Sequence, residues 1–130
     1  MTMRGIRGAT SVSTDDVQSV HAATRELMLA ILEANPTLRP MDIASVFFTV
    51  TDDIHSTYPA TGARELGGGW VEVPLMCARE IPVPGSLPGI IRVLIHWNTE
   101  LPQKDIHHVY LRAAVALRPD IVQRLTASGQ

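Results

Sequence analysis

The sequence has a single cysteine, Cys77, among its 130 residues. One cysteine forms no disulfide within a chain, so the fold does not depend on covalent cross-links, and we predict a reducing compartment, the cytoplasm. No apolar run approaches the ~20 residues that a membrane-spanning helix needs. The first ten residues also lack the apolar stretch of a signal peptide. These absences argue against a disulfide-rich secreted domain and against a membrane protein.

The charge balance argues against nucleic acid as a partner. The net charge is −2 at pH 7 and the isoelectric point is near 6.2, whereas nucleic-acid-binding domains normally carry a basic excess. Of the eleven basic residues only Lys104 is a lysine, and all others are arginines. Arginine binds carboxylates through a planar fork of N–H donors, so this composition suits an anion site. An arginine-rich codon usage explains the same skew equally well.

Common catalytic motifs are missing as well. The sequence has no G-x-S-x-G, no glycine-rich phosphate loop and no C-x-x-C. Five histidines are present, but His107 and His108 are adjacent and would point to opposite faces of a strand, and the others lack metal-ligand spacing. We therefore predict no metal site. As a lone cysteine, Cys77 is read as a small buried apolar residue and not as a nucleophile.

The order of elements predicts an α+β fold. A strand, a long helix, a second strand, a short helix and further strands follow one another in a chain of one-domain length, with too few helices for a doubly wound sheet. One long helix covers only one face of a four- or five-stranded sheet. Because apolar residues alternate onto both sides of "FFTV" and "IIRVLI", we expect the other face to meet another subunit. Residues 1–119 form the predicted domain, and 120–130 a C-terminal tail.

The long helix is predicted over "STDDVQSVHAATRELMLAILEANP". Ser13 or Thr14 is the predicted cap, and Asn35-Pro36 ends the helix. Its apolar residues recur at helical spacing and form one buried stripe. The stripe consists of Val17, Val20, Leu27, Met28 and Ile31.

The remaining segments alternate between strands and irregular structure. In "DIASVFFTVTDD", alternation places Ala44, Val46, Phe48 and Val50 on one face. "VEVPLMCARE" contains Pro74, which restricts this strand to a sheet edge or to a position whose N–H needs no ladder partner. "HHVYLRAAVALRPD" is a last strand or extended segment. Between the strands, "IHSTYPATGARELGGGW" is rich in turn formers around a short helix near residues 60–66, and such a long loop is a usual place for a functional site.

Arg92 is the residue that most clearly indicates a function. It lies inside the apolar strand "GIIRVLIHWN", and burying a guanidinium without a partner costs several kcal/mol. Its apolar neighbours leave it no solvated flank, so we expect an anion to meet it. Arg7, Arg64, Glu80 and Tyr110 are further candidates, although an ion pair or a surface charge is the ordinary explanation for any single arginine. We expect Glu80, or else water, to balance Arg92 when the site is empty.

Several motifs in sequence order carry a resemblance to a known family. "RGIRGAT", "HSTYPATGARELGGGWVEVPLMCAREIPVPGSLPGIIRVL" and "HHVYLRAAVALRPD" resemble the monofunctional, trimeric chorismate mutases of the AroH class. The resemblance implies the Bacillus-type chorismate mutase fold, in which three copies of a mixed sheet with one long helix form a pseudo-α/β barrel with active sites between subunits. It also implies the Claisen rearrangement of chorismate to prephenate in phenylalanine and tyrosine biosynthesis, a pericyclic reaction that needs no cofactor.

The resemblance also implies roles for individual residues. Arg92 donates to the ether oxygen of chorismate and to its side-chain carboxylate, and Arg7 and Tyr110 bind a carboxylate. Glu80 binds the ring hydroxyl, which Cys77 also approaches. Arg92, Glu80, Arg7 and Cys77 are therefore the predicted catalytic residues. The neighbouring subunit contributes Tyr58 and Arg64 from the irregular region. The stretch around Cys77 completes the substrate-binding set with Met76, Ala78 and Arg79.

Two departures from the family pattern and one alternative stay open. Thr61 stands where some members have a basic residue, and Met76 where a small polar residue can occur; both concern affinity more than chemistry. Arg118, before Pro119, matches the family's tail segment, and closing the site is the most that we assign to it. The alternative is a non-catalytic or imine-deaminase-like trimer that binds a carboxylated metabolite in an intersubunit cleft, because that family shares the subunit architecture. Such a sensor has no evident use for Glu80 inside an anion pocket.

Overall fold

A five-stranded mixed β-sheet organises residues 2–117, which are the residues that the computed structural model describes. The predicted α+β fold is confirmed. The strands are β1 (Met3–Ser11), β2 (Ile43–Val50), β3 (Leu75–Arg79), β4 (Ile90–Asn98) and β5 (Val109–Tyr110), and the α-helices are α1 (Val17–Ala34) and α2 (Pro59–Arg64). Short 3-10 helices span Pro40–Asp42, Gly68–Glu72, Gln103–Asp105 and Arg112–Leu117.

The strand order across the sheet is β3-β2-β4-β1-β5. The central strand β4 runs antiparallel to both β2 and β1, while β3 is parallel to β2 and β5 is parallel to β1. Pro74 comes directly before the edge strand β3, and its carbonyl accepts a hydrogen bond from the Val46 N–H at 2.9 Å. Proline has no N–H to donate, so its position confirms the prediction that this strand lies at an edge.

The other edge of the sheet is completed largely by side chains. Only two residue pairs join β5 to β1. Further along β1, the amide of Gln103 replaces a strand, because it accepts from the Gly5 N–H at 3.1 Å and donates to the Gly5 carbonyl at 2.7 Å. The Arg7 N–H donates to His108 Nδ1 at 2.9 Å. Backbone groups that have no partner strand here are therefore still hydrogen-bonded.

Helix α1 covers one face of the sheet and begins later than predicted. Its N-cap is Asp16, whose carboxylate accepts from the Ser19 N–H at 2.7 Å, so the prediction of Ser13 or Thr14 was wrong. Asn35 is the C-cap, as the sequence indicated. Val17 was wrongly placed in the buried stripe, since it stands in the exposed first turn. The residues that do pack inward are Val20, Ala23, Thr24, Leu27, Met28 and Ile31.

The opposite side of the sheet, here called the open face, carries the chemistry-bearing side chains. Along β4 the buried residues Ile91 and Val93 point toward α1, while Arg92 and Leu94 point to the open face. The side chain of Arg92 is 49% exposed. The expectation that Arg92 lacks a solvated flank was therefore wrong for the single chain, because its apolar neighbours in sequence occupy the other face. Phe47, like Leu94, is partly exposed on the open face.

Two further strand predictions need correction. The register of β2 against β4 shifts between Ile43 and Ser45, so Ala44 lies in a bulge and does not continue the face formed by Val46 and Phe48. The last segment is extended only at Val109–Tyr110 and then forms the 3-10 helix Arg112–Leu117. Arg118, Pro119 and the predicted tail at 120–130 lie outside the described residues. None of the helices within residues 2–117 is long and apolar enough to cross a membrane.

Gly62 brings the two α-helices into direct contact. A Cβ atom added at Gly62 would lie 2.9 Å from the His21 carbonyl oxygen and 3.1 Å from the His21 Cα, both on α1. These are backbone atoms, so the clash could not be relieved by a rotamer change. Only glycine allows α2 to pack this closely on α1, and α2 in turn fixes the segment that precedes it.

We expect Gly62→Ala to lower the free energy of unfolding by about 1–3 kcal/mol, the usual range for forced overpacking. Urea denaturation at one fixed protein concentration measures the change. Thr61→Ala, on the same helix at a half-buried position, is the matched control and should cost less. Equal stability of Gly62→Ala and the natural chain would contradict the close-packing argument.

Candidate active site

Four of the residues predicted from sequence come together in one cavity on the open face. Arg7, Glu80, Arg92 and Tyr110 line this space of about 380 Å³, which we call the open-face cavity. Strand register explains the grouping. Ala9 pairs with Arg92 on one side and with Tyr110 on the other, and Arg7 lies two residues before Ala9 on the same face. Alternation along β1 places Met3 and Gly5 on this face as well.

The charge of Arg92 is balanced within the chain. Its Nε lies 3.2 Å from Glu80 Oε2, which confirms Glu80 as its counter-ion in the empty site. Thr49 Oγ1 donates to the same Glu80 oxygen at 2.7 Å. Thr49 pairs with Arg92 across β2 and β4, and the sequence analysis missed it. No motif signals this residue; only its position opposite Arg92 in the antiparallel register would have indicated it.

Tyr110 is held beside the cavity by its own packing and by hydrogen bonds at His107, which precedes it in the chain. It packs against a small cluster on the open face formed by Ala9, Ile90 and Ala114. The buried amide of Asn35 accepts from the His107 N–H at 3.0 Å and donates to the His107 carbonyl at 2.9 Å. The chain is thus fixed to the end of α1 just before β5. Leu117, which also lines the cavity, is a second residue that the sequence analysis missed.

The other predicted residues form a separate cluster around α2. Tyr58 and Cys77 line a second cavity of about 310 Å³. Burial raises the pKa of the Cys77 thiol, while a hydrogen bond from the Ala60 backbone and the charge of Arg64 act in the opposite direction. The thiol therefore stays protonated at neutral pH, where it can hydrogen-bond but is a poor nucleophile. Tyr58, Arg64 and Cys77 are here called the α2 cluster.

Strand alternation divides the predicted stretch from Met76 to Glu80 between these two regions. Met76 and Ala78 pair with Phe47 and Thr49 on the open face, whereas Cys77 pairs with Phe48, whose side chain is fully buried. Ala78, at the edge of the sheet, also lines the second cavity with Cys77 and Arg79, so that Glu80 is the one residue of this stretch that lines the open-face cavity. Arg79 lies on the Cys77 side and forms an ion pair with Asp52 at 3.3 Å. The structure therefore brings Arg7, Glu80, Arg92 and Tyr110 together and places the α2 cluster on the opposite side of β3.

The segment that carries Tyr58 is held in place by residues on and before α1. Asp15 accepts from the backbone N–H groups of His55 at 3.1 Å and Ser56 at 3.2 Å. Hydrogen bonding from Ser56 and from the His55 backbone lowers the pKa of the Asp15 carboxyl. His21 Nε2 is hydrogen-bonded to Thr57 Oγ1 at 2.9 Å. Tyr58 itself is 71% exposed, so its ring is presented to solvent from an ordered backbone.

The chemistry available in the open-face cavity is that of an anion site with one acidic group. Two guanidinium groups and a phenol can donate to carboxylates, and Glu80 can accept from a hydroxyl. Among residues 2–117, no three His, Cys, Asp or Glu side chains are grouped in a way that could hold a metal ion. The arrangement suits the binding and orientation of a small molecule with carboxylate and hydroxyl groups.

The chain is similar to known proteins of one family. Residues 3–121 match the family model described as chorismate mutase type I. Chorismate mutase AroH of Thermus thermophilus is 55% identical over 119 residues, which cover 92% of this chain and 96% of that protein. Chorismate mutase AroH of Bacillus subtilis (strain 168) is 42% identical over 121 residues, covering 93% and 94%.

A solved structure agrees with the sequence comparisons. A chorismate mutase from Clostridium thermocellum superposes with a TM-score of 0.82 at 46% sequence identity, covering 86% of this chain and 97% of that one. The matched residues 3–121 include the strands that carry Arg7 and Arg92 and the position of Glu80 directly after β3. These findings favour the mutase interpretation over a non-catalytic or imine-deaminase-like trimer.

We expect Asp15→Asn to lower the melting temperature at pH 7, because an amide oxygen accepts the His55 and Ser56 N–H groups less strongly than a carboxylate. The lowered pKa of Asp15 stabilises the fold above the unfolded value near 3.8 and loses its effect as pH falls through the folded value. Melting curves between pH 7 and pH 3 should therefore show the difference between the two proteins shrinking toward acid. Asp105→Asn, at an exposed position, is the control; a difference that grows toward acid would contradict the assignment.

Proposed function

Since the chain belongs to the chorismate mutase type I family, we propose that the open-face cavity is where it rearranges chorismate to prephenate. The chain is a chorismate mutase, an isomerase of aromatic amino acid biosynthesis. The observation that supports this location is the joint placement of Arg7, Arg92, Glu80 and Tyr110 around one cavity of about 380 Å³. Chorismate carries two carboxylates, a ring hydroxyl and an ether oxygen, and these four side chains match such groups in chemistry.

The reaction explains why arginines and not nucleophiles surround the cavity. In the Claisen rearrangement the ether carbon–oxygen bond breaks as a new carbon–carbon bond forms within the same molecule, with no proton transfer and no covalent intermediate. The enzyme therefore has two tasks, to hold a flexible dianion in its reactive conformer and to stabilise the negative charge that develops on the ether oxygen. Guanidinium groups fixed on β-strands perform both tasks, since their positions do not need to be reorganised during the reaction.

Arg92 is assigned the developing charge. It stands on β4, the central strand, and Glu80 fixes its Nε. The Nη groups of the fork are then the donors for the ether oxygen and the side-chain carboxylate of chorismate. Arg7 and Tyr110 bind the carboxylates, and Glu80 accepts from the ring hydroxyl. A carboxylate inside an anion pocket is difficult to explain for a simple anion sensor, but it is useful where the ligand also carries a hydroxyl.

The assembly part of the proposal is a homotrimer whose sites lie between subunits. The α2 cluster lies on the opposite side of the edge strand β3 from the open-face cavity, so one small substrate contacts both sets of residues most simply when a neighbouring subunit supplies the second. Partly exposed Phe47 and Leu94 on the open face provide apolar area for a subunit contact. Tyr58 and Arg64, the two residues expected from a neighbouring subunit, would then complete a neighbour's cavity, and the proposal adds Cys77 to them because it lies on their side of β3. The cytoplasm is the proposed location.

We expect the purified protein to consume chorismate without added metal or nucleotide, measured as loss of the ultraviolet absorbance of chorismate. Arg92→Ala should lower kcat by roughly 10²-fold or more, the usual effect of removing one preorganised donor from a developing oxyanion. Arg39→Ala, which removes an exposed arginine at the start of a short helix, is the matched control and should leave turnover unchanged.

Two results would count against these assignments. No turnover above the uncatalysed rate by correctly folded protein would reject the proposed activity. A rise in KM at unchanged kcat in Arg92→Ala would assign Arg92 to ground-state binding instead of the transition state.

Shared sites can be tested by mixing two inactive proteins. Arg92→Ala and Arg64→Ala each disable one half of a shared site, so unfolding and refolding them together should recover about one quarter of natural activity, because half of the subunits carry each intact residue. Each variant refolded alone is the control. If mixing recovers no activity although an affinity tag on one variant retains the untagged other, so that mixed trimers have formed, each site lies within one subunit. A monomeric mass for the natural protein would reject the trimer.

A further inference from the structure

Thr49 is a polar residue in a strand that otherwise supplies apolar side chains to the cavity. It stands on β2 directly opposite Arg92 of β4, and its side chain lines the open-face cavity. Its hydroxyl donates to Glu80 Oε2 at 2.7 Å. The same oxygen lies 3.2 Å from Arg92 Nε. One carboxylate oxygen of Glu80 thus meets two donors, one from each neighbouring strand.

Glu80 stands where the backbone stops being held by the sheet. Its own N–H donates to the Val50 carbonyl at 2.8 Å, which is the last bond of the β2–β3 ladder on this side. The segment that follows, residues 81–89, contains three prolines and two glycines and has no helix or strand, and Ile81 is 76% exposed. A glutamate side chain has three rotatable bonds, so the position of its carboxylate depends on the side-chain contacts it makes.

From this geometry we propose that Thr49 is a positioning residue for the rearrangement, acting through Glu80. By donating to Oε2, together with Arg92, Thr49 turns the carboxylate so that Oε1 is left for the ring hydroxyl of the substrate. The inference rests on the proposed function, because it takes Glu80 as the group that binds this hydroxyl. A hydrogen bond from a neutral hydroxyl to a carboxylate is short and strong, and it adds direction without adding charge.

The Thr49 hydroxyl also allows Arg92 to contact Glu80 and still donate to the ether oxygen of the substrate. Arg92 alone could hold Glu80 only by directing more of its fork toward the carboxylate, which would withdraw donors from the ether oxygen. With Thr49 sharing Oε2, contact through Nε is enough. Thr49 therefore helps to orient both Glu80 and Arg92 before the substrate binds, as a preorganised site requires.

The test is a double-mutant cycle with Thr49→Val, Glu80→Ala and the double variant, using chorismate turnover. Valine keeps the shape and β-branching of threonine and removes only the hydroxyl. We expect Thr49→Val to lower kcat/KM by roughly 10-fold, the scale of one lost hydrogen bond to a charged group. In the Glu80→Ala background the same change should cost less than about 2-fold, because the partner is gone. Thr49→Ser should restore activity to within roughly 3-fold of the natural protein.

A second readout covers the case in which Glu80→Ala turns over too slowly to measure. Binding of prephenate, measured by calorimetry on the same four proteins, should show the same loss of the Thr49 effect when Glu80 is absent. Equal effects of Thr49→Val in both backgrounds would show a merely structural role and overturn the proposal, as would natural activity in Thr49→Val.

The outcomes also separate this inference from the proposed function. If the natural protein turns over chorismate and Arg92→Ala abolishes turnover while Thr49→Val has no effect, only the role of Thr49 is rejected. If the natural protein fails to turn over chorismate, the proposed function fails and the inference fails with it.

Discussion

The ion pair between Arg92 and Glu80 is the interaction on which the arrangement of the site depends. The guanidinium of Arg92 stands on the central strand of the sheet, half exposed in the single chain, and the Glu80 carboxylate at 3.2 Å fixes its direction. The pair lies on the face that the long helix leaves uncovered, and the parallel pairing of β2 and β3 brings Glu80 out beside Thr49. The antiparallel pairing of β1 with β4 adds Arg7 on the same side.

Strand alternation explains most of what could be predicted from the sequence. The alternating and apolar patterns predicted the strand around Arg92, and Pro74 indicated the edge strand. What failed depended on contacts between segments distant in the chain. The exposure of Arg92 follows from the uncovered face of the sheet, and the role of Thr49 follows from its register with β4. Local composition contains neither fact, because register is decided by pairing and not by the sequence of one strand.

The wrong prediction of the α1 N-cap arose because several neighbouring residues are suitable caps. Ser13, Thr14 and Asp16 can all cap a helix, and in the structure Asp16 is the cap while Asp15, one residue before it, accepts from the backbone of His55 and Ser56. The same alternation that made the strands predictable also divides the stretch from Met76 to Glu80 between two sides of β3. A family motif that is continuous in sequence is therefore discontinuous in space, and residues from one motif contribute to two separate cavities.

The Gln103 amide that completes the edge of β1 has a consequence for aggregation. An open strand edge offers unpaired N–H and C=O groups to any other extended chain, and such edges are starting points for aggregation. Gln103 and His108 occupy those groups at Gly5 and Arg7. At the far edge, Pro74 offers no N–H where β3 begins. Growth of the sheet by a further strand is therefore hindered at the positions where these backbone groups are bonded or missing, while the partly apolar surface for self-association lies on the face of the sheet.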